Sequence, residues 1–213
     1  MTNVLEYVEH SARTSPDKIA LIDPVESCSY AQLLDRAQRV GSALTSYTQP
    51  HMPVMIWMEK SISAVSAFLG CVYAGCFYVY LSPDQPRSRG ERILEVAQSQ
   101  VVITTRALLP QWRELGFEVQ AVAYEDLLDT AIDEPGLARI RSQSRDLDPL
   151  YCNFTSGSTG VPKGVVVSHR SVIDFMNYFP ELFHITGADV LGNQAPFDFD
   201  VSVKDLYSAF KTG

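Results

Sequence analysis

Short apolar runs alternate with amphipathic stretches between residues 54 and 131, and this alternation constrains the fold more than any other feature of the chain. The apolar runs have the length of buried strands, while the stretches between them carry apolar residues at helical spacing. The predicted strands are 54–58, 77–81, 100–104 and 117–122, and the predicted helices are 61–74, 88–98, 106–115 and 124–131. Such an alternation is typical of parallel strands joined by crossover helices. We therefore expect an α/β fold with a mostly parallel sheet.

The flanking segments are less regular. They predict helices over 4–13 and 30–47, a strand over 164–168, a helix from about 170, a strand near 189–193 and a helix from about 202. Charged residues and Gly136 interrupt the pattern between 133 and 148, which indicates a surface connection. We expect a first α/β subdomain over 1–132, a connection over 133–148, and a last segment over 149–213 that begins a second, incomplete subdomain.

Composition excludes several classes of protein. The chain has 213 residues, 46% hydrophobic and 20% charged, with a formal net charge of −8. This acidic balance argues against nucleic-acid binding and favours a cytoplasmic location. The four cysteines and four histidines do not have zinc-binding spacing, so we expect reduced, packed cysteines and no metal site. The first residues lack a basic region followed by an apolar stretch, so no secretory signal is expected.

Residues 62–81 carry no charged side chain, and 20 residues are long enough to cross a bilayer. Serines and glycines dilute this run, and the aromatic residues at its end are typical of a strand. A buried helix ending near Gly75, followed by a buried strand, explains the run better than a membrane span. We therefore expect no membrane association.

Residues 150–164 read L-Y-C-N-F-T-S-G-S-T-G-V-P-K-G and suggest a loop that binds phosphate. Glycines can bring backbone N–H groups close to an anion, hydroxyls add donors, and a lysine adds positive charge. The residues of these kinds are Thr155, Ser156, Gly157, Ser158, Thr159, Gly160, Lys163 and Gly164. The loop is not a Walker A motif, because Pro162 and Gly164 replace required residues. A flexible linker is disfavoured because apolar runs flank the loop.

This loop resembles the phosphate-binding signature of the adenylate-forming superfamily, which includes acyl-CoA synthetases, luciferase-like enzymes and the amino-acid adenylation domains of nonribosomal peptide synthetases. Residues 29–33, 73–79 and 199–202 resemble further motifs of that superfamily, in the same order. The chain is most similar to an amino-acid adenylation domain. It departs from the second motif at Tyr80, where adenylation domains usually have proline. This departure concerns a structural segment rather than the chemistry.

The resemblance implies an ATP-dependent, AMP-forming ligase in which a substrate carboxylate attacks the α-phosphate of Mg-ATP. A thiol, here the phosphopantetheine of a carrier protein, then takes the acyl group. Lys163 and Thr155 would be catalytic, and Thr155 to Gly164 would hold the phosphates. The protein ligand for Mg²⁺ is expected beyond residue 213.

Asp200 would pair with the α-ammonium of an amino-acid substrate, as the resemblance implies. Phe199, Val201 and Lys204 would line the same pocket. An alternative is that Asp200 caps the helix beginning near Ser202. If residues 197–202 are extended, Phe197 and Phe199 lie on one side of the chain, and both aspartates lie on the other.

His169 is expected to be a packing or capping residue, since no nucleophile signature supports hydrolase chemistry. The resemblance covers the first half of the superfamily's large N-terminal domain. The adenine, ribose and magnesium segments, and the mobile domain with the catalytic lysine, are expected beyond Gly213, so the chain alone is expected to be inactive. Two alternatives stay open. An acyl- or aryl-CoA ligase generally lacks the equivalent of Asp200, and a remnant acting as an interaction module would be non-catalytic.

Overall fold

The computed structural model describes residues 1–155 and 161–213, and these form a mixed α/β fold around a largely parallel sheet. The sheet has six strands within the described residues, in the order β6-β5-β3-β4-β7-β8. The strands are β3 (Pro53–Ile56), β4 (Phe77–Tyr80), β5 (Val101–Thr104), β6 (Gln120–Ala123), β7 (Pro149–Thr155) and β8 (Lys163–Ser168). Neighbouring strands from β6 to β7 are parallel, and β8 pairs with β7 antiparallel. The expected fold class is confirmed.

Helices cover both faces of this sheet. They are α1 (Leu5–Thr14), α2 (Tyr30–Leu44), α3 (Ile62–Tyr73), α4 (Arg87–Ala97), α5 (Leu109–Leu115), α6 (Tyr124–Leu128), α7 (Glu134–Gln143), α8 (His169–Leu182) and α9 (Val201–Thr212). One core lies beneath α1, α2, α3, α8 and α9, and a smaller core lies beneath α4 and α5 on the other face. Strands buried on both faces need continuous apolar sequence. Strands β3 and β5 fit this rule, because each is buried at every residue and is mostly apolar in sequence.

The uncharged segment over residues 62–81 comprises α3, β4 and the residues that join them. It forms a buried helix and a buried strand joined by a turn, as predicted. Gly75 takes φ +72° in this turn, a left-handed conformation that glycine adopts without steric cost. Among the residues that the structure describes, no helix has the length and apolar character needed to cross a bilayer.

Helices α2 and α3 pack closely because each presents a glycine to the other. A Cβ added at Gly41 would lie 2.5 Å from Cβ of Tyr73, and one added at Gly70 would lie 2.6 Å from Cβ of Val40. Helix α2 starts with a capping box: the Ser29 side chain accepts from the Gln32 N–H, and the Gln32 side chain accepts from the Ser29 N–H. The first motif of the sequence thus fixes a helix start.

Three segments differ from the sequence-based expectations. The connection over 133–148 contains α7, because Asp133 accepts a hydrogen bond from the Gly136 N–H and caps a helix whose Leu137 is buried. Residues 189–193 are irregular rather than a strand. A hairpin that was not predicted, β1 (Ile19–Ile22) with β2 (Ser27–Ser29), precedes α2. The division into subdomains stays a prediction.

Candidate functional site

The hairpin of β7 and β8 brackets the predicted phosphate loop. Thr155, the last residue of β7, lies opposite Lys163, the first of β8. The Thr155 hydroxyl donates to the Lys163 carbonyl oxygen over 3.4 Å, and both residues are exposed. The structure therefore brings these two predicted residues together at the carboxyl end of β7, where open α/β sheets bind ligands. The remaining loop residues, Ser156, Gly157, Ser158, Thr159 and Gly160, lie outside the described residues.

Gly164 has a packing role in β8 that the sequence did not indicate. Its backbone is extended in β8, opposite Phe154, and it does not have a positive φ. A Cβ at this position would lie 2.8 Å from Sγ of Cys152 and 3.2 Å from the Phe154 ring. Gly164 therefore allows β8 to pair beside the core, and an approach of its backbone to phosphate stays a prediction.

Arg89 contacts the end of β7 and was missed in the sequence. Its Nη2 donates to the Phe154 carbonyl oxygen over 3.0 Å, one residue before Thr155. Arg89 lies in the first turn of α4. This hydrogen bond therefore joins α4 to the end of β7, just before the predicted phosphate loop. A sequence separation of 65 residues leaves no local pattern from which to predict the contact.

A cavity of about 310 Å³ opens between β7, α8 and α9. Its volume is in the range of small-molecule sites. The residues that line it are Tyr151, Val167, Ser171, Val172, Phe175, Asp200, Val201, Val203 and Lys204. Three of the four residues predicted to bind substrate thus share one cavity. Phe199, the fourth, is not among the residues that line this cavity, and it is 58% exposed.

Asp200 occupies the N-cap position of α9, yet its side chain makes no capping hydrogen bond to any described residue. The first turn is closed by main-chain bonds instead: the Ser202 N–H donates to the Phe199 carbonyl oxygen over 3.0 Å. Asp200 is an exposed residue that lines the cavity. Burial raises the pKa of Tyr151 in the cavity wall to about 12, and the negative charge of Asp200 adds to this effect.

The segment before Asp200 is a turn, so the expectation that Phe197 and Phe199 share one side is wrong. The Phe199 N–H donates to the Pro196 carbonyl oxygen over 3.1 Å, which bends the chain. Phe197 is buried, with its ring edge-on to Phe68 and Tyr80 at centroid distances of 5.2 and 5.4 Å. Phe197 therefore anchors the turn, and Phe199 is turned outward.

The side chains of Lys60 and Gln85 form hydrogen bonds to this turn and to the residues just before it. Lys60 donates to the carbonyl oxygens of Asn193 and Ala195, the latter over 2.7 Å, and its Nζ lies 5.1 Å from the centroid of the Phe197 ring. The Gln85 amide donates to Asp198 over 3.2 Å. These contacts fix the direction in which α9 begins, and hence the position of Asp200.

Tyr80 and His169 have structural surroundings. The Tyr80 hydroxyl donates to the Met58 carbonyl oxygen over 2.9 Å, a bond that proline at this position could not make. His169 is 3% exposed, and its Nδ1 accepts from the Val4 N–H over 3.4 Å. Burial, together with the positive charge of Arg141, lowers the pKa of His169 to about 4. The packing role expected for this histidine is confirmed.

A larger cavity, of about 550 Å³, lies away from the predicted residues of the phosphate loop. It is bounded by the β1–β2 hairpin, the start of α3, residues 187–193 and α9. Its walls are mostly apolar, and they include the irregular segment in which a strand was predicted. Size alone therefore does not identify the site, and the chemistry of the lining residues favours the smaller cavity.

Comparison with known proteins decides the family. The model of the family described as AMP-binding enzyme matches residues 8–213. The chain belongs to this family. The resemblance drawn from the phosphate loop is thereby confirmed.

Relatives of this AMP-binding chain include carrier-protein ligases. It is 30% identical over 212 residues to the D-alanine–D-alanyl carrier protein ligase of Bacillus cytotoxicus, covering 99% of this chain and 41% of that protein. The chain therefore spans about two fifths of the length of this curated relative.

Solved structures of the same superfamily share the fold. The nonribosomal peptide synthetase FmoA3, in its α-methyl-L-serine-AMP bound form, superposes with a TM-score of 0.87 at 28% identity, over 99% of this chain and 23% of that one. A fatty acyl-adenylate ligase from L. pneumophila, in complex with acyl adenylate and pyrophosphate, gives 0.81 at 25% identity, over 98% of this chain and 38% of that one. The AMP-binding fold is thus shared with ligases for different carboxylic acids.

Proposed function

We propose that the protein carrying this chain uses ATP to activate an amino acid as its aminoacyl-adenylate and passes it to the phosphopantetheine thiol of a carrier protein. The observation that carries this proposal is the position of Asp200. Asp200 lines a cavity of about 310 Å³, and its carboxylate does not cap α9 by a bond to any described residue. A carboxylate in such a place is suited to pair with an ammonium group.

The two predicted halves of the site share one strand. Tyr151 lines the cavity and Thr155 ends the same strand at the phosphate loop. Four residues of extended chain span roughly 13 Å. An amino acid held by Asp200 would therefore present its α-carboxylate toward the ATP phosphates held beside Thr155 and Lys163.

ATP supplies an electrophilic α-phosphorus when it is bound. The substrate carboxylate oxygen bonds to that phosphorus, the bond between the α-phosphorus and the bridging oxygen breaks, and pyrophosphate leaves. The chain's own contribution is to neutralise charge on the phosphates: the Lys163 ammonium and the Thr155 hydroxyl are donors of the kind that phosphoryl chemistry requires.

Magnesium is expected to accompany ATP. Within residues 1–155 and 161–213, no group of three His, Cys, Asp or Glu side chains could hold a metal ion. The Mg²⁺ site therefore stays a prediction.

The relatives support both this proposal and its closest alternative. The Bacillus cytotoxicus relative is named as a ligase that joins D-alanine to a carrier protein, and FmoA3 is described with an amino-acid adenylate bound. The L. pneumophila relative is described as a fatty acyl-adenylate ligase. The alternative is therefore a ligase for carboxylic acids that lack an amino group. Asp200 favours the amino-acid reaction over this alternative.

The experiment compares Asp200→Asn with the unaltered sequence, in the whole protein that carries this chain, by amino-acid-dependent pyrophosphate exchange. A hydrogen bond to a charged group contributes about 1.5–3 kcal/mol, so the preferred amino acid should lose about one to two orders of magnitude in kcat/KM. Its deamino analogue should change far less, because it has no ammonium to pair.

A thermal melt separates this effect from folding. Since Asp200 makes no capping bond to the described residues, Asp200→Asn should change the free energy of unfolding by only about 0.5 kcal/mol. Full amino-acid exchange in the variant would contradict the proposal and favour an acyl- or aryl-ligase.

A further inference from the structure

Lys204 lines the same cavity as Asp200, one turn further along α9. Residues four apart on a helix are neighbours on one face, so an acidic and a basic residue line the cavity next to each other. The rest of its wall is mainly valine and aromatic side chains. Asp200 and Lys204 are the charged side chains among the described residues that line this cavity, so they are the lining groups suited to pair with charge on a bound molecule.

The contacts of Lys204 hold its side chain without satisfying it. Its Nζ lies 5.9 Å from the centroid of the Phe179 ring and 3.7 Å from a carboxylate oxygen of Asp205. An ammonium has three donors, and a single ion pair at this distance uses at most one of them. The same Asp205 carboxylate also accepts from the Asn193 amide over 3.3 Å. Neither Phe179 nor Asp205 lines the cavity, so binding a ligand there requires the flexible Lys204 side chain to turn its ammonium from Asp205 into the cavity.

The charge of Lys204 discriminates among amino-acid side chains. An apolar side chain would cover the ammonium and remove its water without offering a partner, which is costly. A basic side chain would be repelled. A carboxylate would accept charge-assisted hydrogen bonds from the ammonium, which are stronger than bonds between neutral groups.

We propose that the substrate is an amino acid with a second carboxylate in its side chain, of the aspartate and glutamate class, and that Lys204 determines this specificity. The inference rests on the proposed function, because it takes Asp200 as the partner of the α-ammonium. Asp200 and Lys204 then bind the two charged groups of the substrate that do not react, and the α-carboxylate is left for ATP.

The experiment measures pyrophosphate exchange by the whole protein with aspartate, glutamate, asparagine, glutamine, alanine and lysine. The preferred acid should exceed its own amide by on the order of 10- to 100-fold in kcat/KM, the usual value of hydrogen bonds to a charged group. Lys204→Met should abolish this ratio by lowering the rate with the acid, while the rate with the amide stays within about threefold. Lys204→Arg keeps the positive charge and should keep the preference for the acid.

Arg113→Met is the matched control, because Arg113 is an exposed cation on α5. Helix α5 connects β5 to β6, and these strands lie at the other end of the sheet from β7 and β8. It should leave the ratio unchanged. A neutral amino acid as the preferred substrate, or an acid preference that survives in Lys204→Met, would overturn the assignment of Lys204 while leaving amino-acid activation intact. The deamino analogues of aspartate and glutamate are assayed alongside, and exchange with these analogues but with none of the six amino acids would instead overturn the proposed function itself.

Discussion

The inner strands of the sheet and its β8 edge are built from similar residues but have opposite surroundings. Strands β3 and β5 are buried at all four positions, whereas β8 is exposed over Lys163 to Val166. Val165 and Val166 are 51% and 56% exposed. Burial on both faces fixes the inner strands, whereas β8 is held by pairing with β7 and by packing of Val167 against the larger core. The residues with predicted chemistry lie on the exposed side, and most of the packing energy lies on the buried side.

This contrast makes a simple expectation for substitutions. Changes in the buried half should alter the free energy of unfolding, and changes at the exposed edge should alter the rate of adenylation with little change in stability. Each prediction below tests one side of that contrast.

The largest effect is expected from Gly70→Val, at the contact of α2 and α3. A Cβ at this position would lie 2.6 Å from Cβ of Val40 and 3.2 Å from the Ala37 carbonyl oxygen. Backbone must move to relieve this clash, so unfolding in denaturant should show a loss on the order of 3 kcal/mol.

Gly192→Ala is its control. A Cβ at Gly192 meets no described atom within 4 Å, so this variant should be as stable as the unaltered chain within about 0.5 kcal/mol. Equal stability of Gly70→Val and Gly192→Ala would show that the close packing of α2 and α3 is not what holds the buried half together.

His169 gives the next effect, as a function of pH. Its pKa of about 4 in the folded chain is below the ordinary histidine value of 6.5, because burial and the positive charge of Arg141 both disfavour the protonated ring. The unfolded chain therefore binds the proton first as the pH falls. Stability is unaffected above pH 6.5 and declines between pH 6.5 and 4, by about 3 kcal/mol in total.

Denaturant unfolding at several pH values checks this prediction. His169→Gln keeps an acceptor for the Val4 N–H but has no group that titrates, so the difference between the two proteins should grow as the pH falls from 6.5 to 4. Parallel pH profiles for the two proteins would mean that this buried histidine does not contribute to acid unfolding.

The smallest expected effect in free energy concerns the exposed edge. Lys163→Ala should lower kcat/KM for ATP in pyrophosphate exchange by about 10- to 100-fold, since a hydrogen bond to a charged group contributes about 1.5–3 kcal/mol. The melting temperature should hardly change, because Lys163 is exposed. Arg113→Ala, which removes an exposed cation on α5 outside the proposed site, should leave the exchange rate unaltered. An unchanged rate in Lys163→Ala would remove this lysine from the reaction.

Sequence predicts the inner strands well because their signal is local. From 54 to 131, strand and helix positions agree with the structure to within a few residues. The helix α7 was missed although it has a local start signal, Asp133 followed by Pro135 in its first turn. Its charged residues obscured the single buried anchor, Leu137. The strand predicted near 189–193 failed for a different reason: an extended apolar run forms a strand only where another strand pairs with it.

The candidate site could be predicted only in part. Sequence gave both ends of the phosphate loop and three residues of the cavity, because each lies in a recognisable motif. Tyr151, Ser171 and Phe175 complete the cavity from β7 and α8, and Arg89 reaches β7 from α4. Such contacts depend on how distant elements pack, which no local pattern records.

The antiparallel direction of β8 decides where the phosphate loop can act. If β8 were parallel to β7, the chain would have to return along the whole length of β7 before β8 began. Lys163 would then lie near the amino end of β7, roughly 20 Å from Thr155. Because β8 runs backward from its first residue, Thr155 and Lys163 lie opposite each other. A single reversal of chain direction thus places Thr155 and Lys163, the two donors proposed to bind phosphate, next to each other.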